Sequence, residues 1–187
     1  MDARVRYTKM MIKEQFILLL KEQPLNKITV KAICQNAQIN RATFYKYYDN
    51  PYDLLNKLEQ EFLDDLQQKI LQQNTAGFQD ILRIVLQDVR ENRFIYSVLF
   101  SENGDAQFRE HLFALCYHDN METIRSIFPK LPPIRQEWLY YFIAEGCNGI
   151  LNQWMAGGMK EDPEDIVNFI DKVVLTVNMN LAKRYQS

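Results

Sequence analysis

Between Asn40 and Tyr48 the chain reads N-R-A-T-F-Y-K-Y-Y. These are side chains that bond to nucleic acid. Arg41 can meet a guanine edge through two parallel hydrogen bonds, and Thr43 offers a hydroxyl and a methyl. Tyr45 and Tyr47 carry phenol donors suited to phosphate oxygens, and Lys46 adds positive charge. Phe44 and Tyr48 are four apart, so on a helix they share the inward face with Ile39. Chemistry of other kinds has no such foothold. The sequence contains no Gly-rich phosphate loop, HExxH, CxxC or nucleophile elbow, so an enzyme is not expected. Cys34, Cys116 and Cys147 are widely spaced in apolar helical settings. They read as buried free thiols of a cytoplasmic protein rather than metal ligands. His111 and His118 share a helix without a matching ligand set, so neither a metal nor a cofactor is expected.

The elements that must position these residues are helical. Ile12, Phe16, Leu19 and Leu20 mark one face of a helix from Thr8 to about Glu22, with Pro24 beyond its end. Thr29 is a natural N-cap for a two-turn helix whose inner face is Val30, Ile33, Cys34 and Ala37. Gln38, Ile39 and Asn40 connect it to a second short helix over Arg41–Tyr48, which Asn40 caps. Asn50 caps a longer helix to about Gln73, with Pro51 first, where its missing N–H costs nothing. Residues 74–77 break it. Further helices are expected over Phe78–Glu91 and Arg93–Phe100, over Gln107–Phe128, over Ile134–Met155 and from Asp162–Pro163 to about Tyr185. No strand pattern competes. The fold class is therefore all-α.

Charge is distributed unevenly. Residues 1–57 hold ten Lys/Arg against five Asp/Glu, whereas the rest hold twelve against nineteen. A basic head on an acidic body suggests that only the head meets a polyanion. The longest early apolar run, Phe16–Leu20, falls far short of the ~20 residues of a membrane span, so no membrane partner is expected.

The stretch Ile28–Leu55, and above all Ile39–Tyr48, resembles the helix-turn-helix of the tetracycline-repressor (TetR) family of bacterial regulators. The sequence Y-D-N-P-Y-D-L-L is also similar to the dihydroxyacetone-kinase regulator subgroup. The resemblance implies about nine helices. Residues 1–50 would form a three-helix DNA-binding head, and 51–187 a regulatory and dimerisation body. It implies that Thr29, Val30 and Lys31 open a positioning helix beside the DNA backbone. Asn40, Arg41, Ala42 and Thr43 would open the recognition helix at the groove, and Tyr45, Lys46 and Tyr47 would meet phosphates. The last two helices would join two copies, so that a homodimer reads a palindromic double-stranded operator. A signal in the body, either a small molecule or a partner protein, would then change the separation of the heads. Aromatic and imidazole side chains of the middle helices are the candidate pocket: Phe62, Phe94, Tyr96, Phe100, Phe108, His111, Tyr117, Trp138 and Tyr141.

This chain departs from the family pattern at two positions. Gln38 stands where the turn usually has Gly, which predicts a left-handed residue with a side chain. Pro51 stands where the fourth helix usually opens with a phosphate-binding Lys, leaving the helix N-terminus itself as the expected phosphate contact. An adaptor of this fold with weak or no specific DNA binding, working through a partner protein, is the alternative function.

Overall fold

A computed structural model of the chain describes residues 3–73, 77–104, 106–115 and 117–185. Ten α-helices appear among them and no strand. They are α1 (Ala3–Glu22), α2 (Val30–Asn36), α3 (Arg41–Tyr45), α4 (Pro51–Gln72), α5 (Phe78–Glu91), α6 (Arg93–Leu99), α7 (Ala106–Ala114), α8 (Tyr117–Ile127), α9 (Pro133–Ala156) and α10 (Pro163–Tyr185). A single 3-10 turn, Leu25–Lys27, joins α1 to α2. No helix among the described residues is long and apolar enough to cross a membrane.

The chain divides into two compact units. One comprises Met1–Asp65 with Phe94–Arg109, the other Leu66–Arg93 with Glu110–Ser187. In the first, Ile12, Phe16 and Leu20 of α1, Ile33 and Cys34 of α2, Phe44 of α3 and Leu54, Leu55 and Leu58 of α4 are all buried. A second cluster in this unit is aromatic: Tyr96 sits 6.1 Å from Phe62, 6.1 Å from Phe100 and 6.2 Å from Phe108, centroid to centroid.

In the second unit α8 packs on α9, and α10 on α5. Met121, Ile124, Phe128, Leu131, Leu139 and Tyr140 form the core between α8 and α9. Buried Gln136 closes that corner by donating to the carbonyls of Phe128 and Leu131, both at 3.0 Å. Arg83 of α5 forks onto Glu164 of α10 at 2.8 and 2.9 Å, and Arg90 reaches Asp162 at 3.3 Å. These bonds hold the Glu164 and Asp162 carboxyls below their ordinary range: Arg83 acts on Glu164, and the Glu164 N–H and then Arg90 act on Asp162.

Several helix boundaries differ from the sequence expectation, among them the start of α1, at Ala3 rather than Thr8. The single helix expected over Gln107–Phe128 is two, α7 and α8. Its buried residues explain why: Leu112 and Met121 are nine apart, which at about 100° per residue is half a turn out of phase. One continuous helix would have to expose one of its two apolar faces, whereas α7 ends at Ala114 and α8 starts anew at Tyr117. Likewise α3 ends at Tyr45 rather than Tyr48, because the last turn tightens and both Tyr47 and Tyr48 N–H groups donate to the Phe44 carbonyl.

Candidate nucleic-acid interface

Local hydrogen bonds shape the helix pair. The Thr29 hydroxyl accepts from Ala32 N–H at 3.2 Å and caps α2. At the other end of α2, Ile39 N–H donates to Cys34 O and Gln38 N–H to Gln35 O. This two-bond stop requires a left-handed residue between helix and turn. Gln38 supplies it with φ 53, where glycine would be unstrained. Asn40 then caps α3, its Oδ1 accepting from Thr43 N–H at 2.7 Å and from the Thr43 hydroxyl at 2.8 Å. The Thr43 proton is thereby committed, which leaves its lone pairs and methyl to meet a base.

All ten expected contact residues lie on or beside these two helices, and none is buried. Thr29, Lys31, Asn40, Arg41, Ala42, Tyr45 and Lys46 are exposed, whereas Val30, Thr43 and Tyr47 are half-buried. Phe44 is fully buried and holds α3 down, with Tyr48 5.6 Å away and Tyr45 edge-on at 5.7 Å. Burial, followed by the Glu61 and Asp53 charges, pushes the Tyr48 phenol well above its ordinary range.

Two residues that the sequence reading passed over also shape this surface. Lys9 of α1 lies over the Tyr47 ring at 5.5 Å. Lys57 of α4 donates to the Tyr47 carbonyl at 3.1 Å and to Asp53 at 2.8 Å, and lies 5.6 Å from the Tyr48 ring centre. It ties the end of the recognition segment to α4. The available signal was the four-residue spacing of Asp53 and Lys57 on a helix.

The origin of α4 differs from the expectation. Asn50 Oδ1 accepts from Tyr52 N–H at 2.9 Å and Asp53 N–H at 3.0 Å. Leu54 N–H donates to Asn50 O, and Pro51 has no N–H to give. The Asp53 carboxylate accepts from Asp49 N–H, and its Lys57 bond, then that N–H, hold its pKa below the ordinary carboxylate range. No N–H of this first turn is left for a phosphate, so the expected contact at the helix N-terminus is not available in this conformation.

In the second unit a cavity of about 100 Å³ is lined from α5, α7, α8, α9 and α10. None of the nine pocket candidates lines it. Phe62, Tyr96, Phe100 and Phe108 belong to the aromatic cluster of the first unit. Phe94 is partly exposed beneath Lys21, and Tyr117 stands edge-on to Tyr140. His111 is exposed, as are Trp138 at 62% and Tyr141 at 58%. Trp138 and Tyr141 stand on the open side of α9 with Ile134 and Phe142. A Cβ added at Gly146 or Gly149 would meet nothing within 4 Å. On α10, Phe169, Val173, Leu175 and Met179 are exposed too. Cys34 and Cys147 are buried free thiols; Cys116 lies outside the described residues.

Comparison with known proteins places this arrangement. Residues 77–176 match a family model described as a transcriptional regulator C-terminal region (TetR_C_8). The chain is 21% identical over 164 residues to the uncharacterized HTH-type transcriptional regulator YxbF of Bacillus subtilis (strain 168), covering 83% of this chain and 41% of that protein. It is 28% identical over 120 residues to DhaS, the HTH-type dhaKLM operon transcriptional activator of Lactococcus lactis subsp. lactis (strain IL1403), covering 63% of this chain and 60% of that one. The matches thus span about half the length of these curated relatives. A solved TetR transcriptional regulator from Streptococcus agalactiae 2603V superposes with a TM-score of 0.69 at 25% identity, over 91% of this chain and 95% of that one. With a family model matched over more than half its residues and this helical frame behind it, the chain belongs to the TetR family of transcriptional regulators.

Proposed function

We propose that the protein is a homodimeric repressor that reads a palindromic DNA operator and is released by a signal acting on its body. Residues 1–50 are the DNA-binding domain, and 51–187 the regulatory and dimerisation domain. The observation that carries this reading is the capped helix pair. It presents Arg41, Ala42, Tyr45 and Lys46 outward on a helix pinned from below by Phe44. Arg41 reads a base edge, while Lys31, Lys46, Tyr45 and Tyr47 hold phosphates and set the register. A helix of five residues reads too few base pairs alone. Two copies related by a two-fold axis read half-sites roughly 34–36 Å apart. The exposed apolar residues of α9 and α10 support pairing through those helices, since contiguous apolar surface of this kind marks an interaction site.

Selection of bound fragments from random double-stranded DNA by the purified protein tests the reading. A palindromic consensus is expected. Arg41→Ala should relax choice at one position per half-site by about 1–3 kcal/mol, whereas Tyr47→Phe should weaken all sites alike. A second reading, an adaptor acting through a partner protein with weak or no specific DNA binding, draws on the closed and acidic origin of α4. Failure to enrich any sequence at low salt would favour it.

A further inference from the structure

The hydrogen bonds between Asn40 and Thr43 have a polarity that their chemistry fixes. Asn40 Oδ1 accepts from the Thr43 N–H at 2.7 Å. Only the amide oxygen can do so, because the amide nitrogen is a donor alone. The atom 2.8 Å from the Thr43 hydroxyl is that same oxygen. It bears no hydrogen, so the hydroxyl must donate to it. The hydroxyl proton is thus spent inside the protein, and Oγ1 has only lone pairs left to offer outward. Cβ of threonine is branched, so the bond that fixes Oγ1 fixes the methyl as well. The two bonds also take both lone pairs of Asn40 Oδ1. The Asn40 amide therefore lacks the acceptor that its two-bond pairing with adenine would need. Thr43 stands half-buried beside the exposed Asn40, Arg41 and Ala42, and the fully buried Phe44 ring anchors the next position.

A threonine hydroxyl ordinarily serves any base, because it can donate or accept. This one can only accept. Phosphate oxygens, thymine O4, and guanine O6 and N7 are acceptors too, and would meet it lone pair to lone pair. The base groups that donate in the major groove are the exocyclic amines, adenine N6 and cytosine N4. We infer that Thr43 is a specificity-determining residue that accepts from the exocyclic amine of adenine or cytosine on the strand it faces. Asn40 is the positioning residue that enforces this choice, by holding the hydroxyl proton. The inference rests on the DNA-binding reading above and adds the class of base read at one position of each half-site.

The test is selection from random double-stranded DNA with full-length wild type and Thr43 variants in parallel, followed by affinities on the selected duplex. Wild type should admit adenine and cytosine at one position per half-site and disfavour guanine and thymine there about tenfold. Thr43→Val keeps the shape and drops the hydroxyl, so choice at that position should vanish. Thr43→Ser keeps the hydroxyl and should restore it. Asn40→Gly retains a tolerated N-cap but frees the hydroxyl proton, so guanine and thymine should become acceptable at the same position. Replacing the selected base by its analogue without the exocyclic amine should weaken wild type about tenfold and leave the affinity of Thr43→Val unchanged. If Asn40→Gly does not fold, that analogue comparison decides alone. Guanine or thymine preferred at the Thr43-sensitive position, equal weakening of all sequences by Thr43→Val as for a phosphate contact, or base choice unmoved in a folded Asn40→Gly would each overturn the inference. A palindromic consensus that Thr43→Val leaves untouched sinks the inference alone. No enriched sequence with wild type sinks the DNA-binding reading and the inference with it.

Discussion

The helix-turn-helix segment and the α5–α10 body differ in what their surfaces are built from. In the segment, Thr29, Asn40 and Asn50 each spend a side-chain oxygen on a helix start, and Lys57 stitches the Tyr47 carbonyl to α4. Both regions hold a buried polar atom without a hydrogen bond, Tyr48 Oη in the segment and Asn178 Oδ1 in the body, but in the body large apolar side chains of α9 and α10 also stand in the open. A surface that must match a fixed groove gains from a backbone with no alternatives. A surface that must meet a second molecule gains from apolar area left for it to cover. Under the function proposed above, the difference separates a preformed reader from a body with a face for a partner.

The largest effect should follow from undoing the reader. Phe44→Ala removes a fully buried ring and should cost about 3–5 kcal/mol, seen as early loss of the head in denaturant unfolding. A head that keeps its stability without Phe44 would show that its rigidity comes from elsewhere. Next is the body's open face. Wild-type protein should be a dimer by light scattering at micromolar concentration. Replacing Trp138 and Phe142 together by Glu should shift it to monomer by about 3 kcal/mol or more, leaving the head's melting intact. A monomeric wild type would remove the body's side of the contrast. The smallest effect tests whether the reader is strained: Gln38→Gly should stabilise the head by about 0.5–1 kcal/mol, because glycine adopts the left-handed turn freely. Equal or lower stability would mean the Gln38 side chain makes up the difference.

The reader was legible in the sequence because its devices are local. Caps at Thr29, Asn40 and Asn50, the inward pair Phe44 and Tyr48, and the left-handed residue at Gln38 all depend on neighbours within five positions. The body was less legible. That α7 and α8 are separate helices depends on the phase between Leu112 and Met121, which shows only when both faces are asked to be buried. The cavity is not legible from the aromatic residues, because ring chemistry does not tell which way a residue faces. Trp138 and Tyr141 point out, while the cavity wall comes mainly from Ile, Leu and Val on five helices. The signal that could have found it was Asn178 set among Val174, Val177 and Leu181.

The closed origin of α4 has a consequence for the ionic setting in which such a regulator works. A lysine there would add one phosphate contact per half-site, and a dimer on a palindrome would count it twice. Each phosphate neutralised releases condensed counterions and steepens the dependence of log affinity on log salt by about 0.9. Without that pair of contacts the slope is shallower by about 1.8. A chain that starts α4 with Pro51 and an Asn50 cap would therefore hold its operator more evenly as the salt around it changes, and leave the decision to let go to the body.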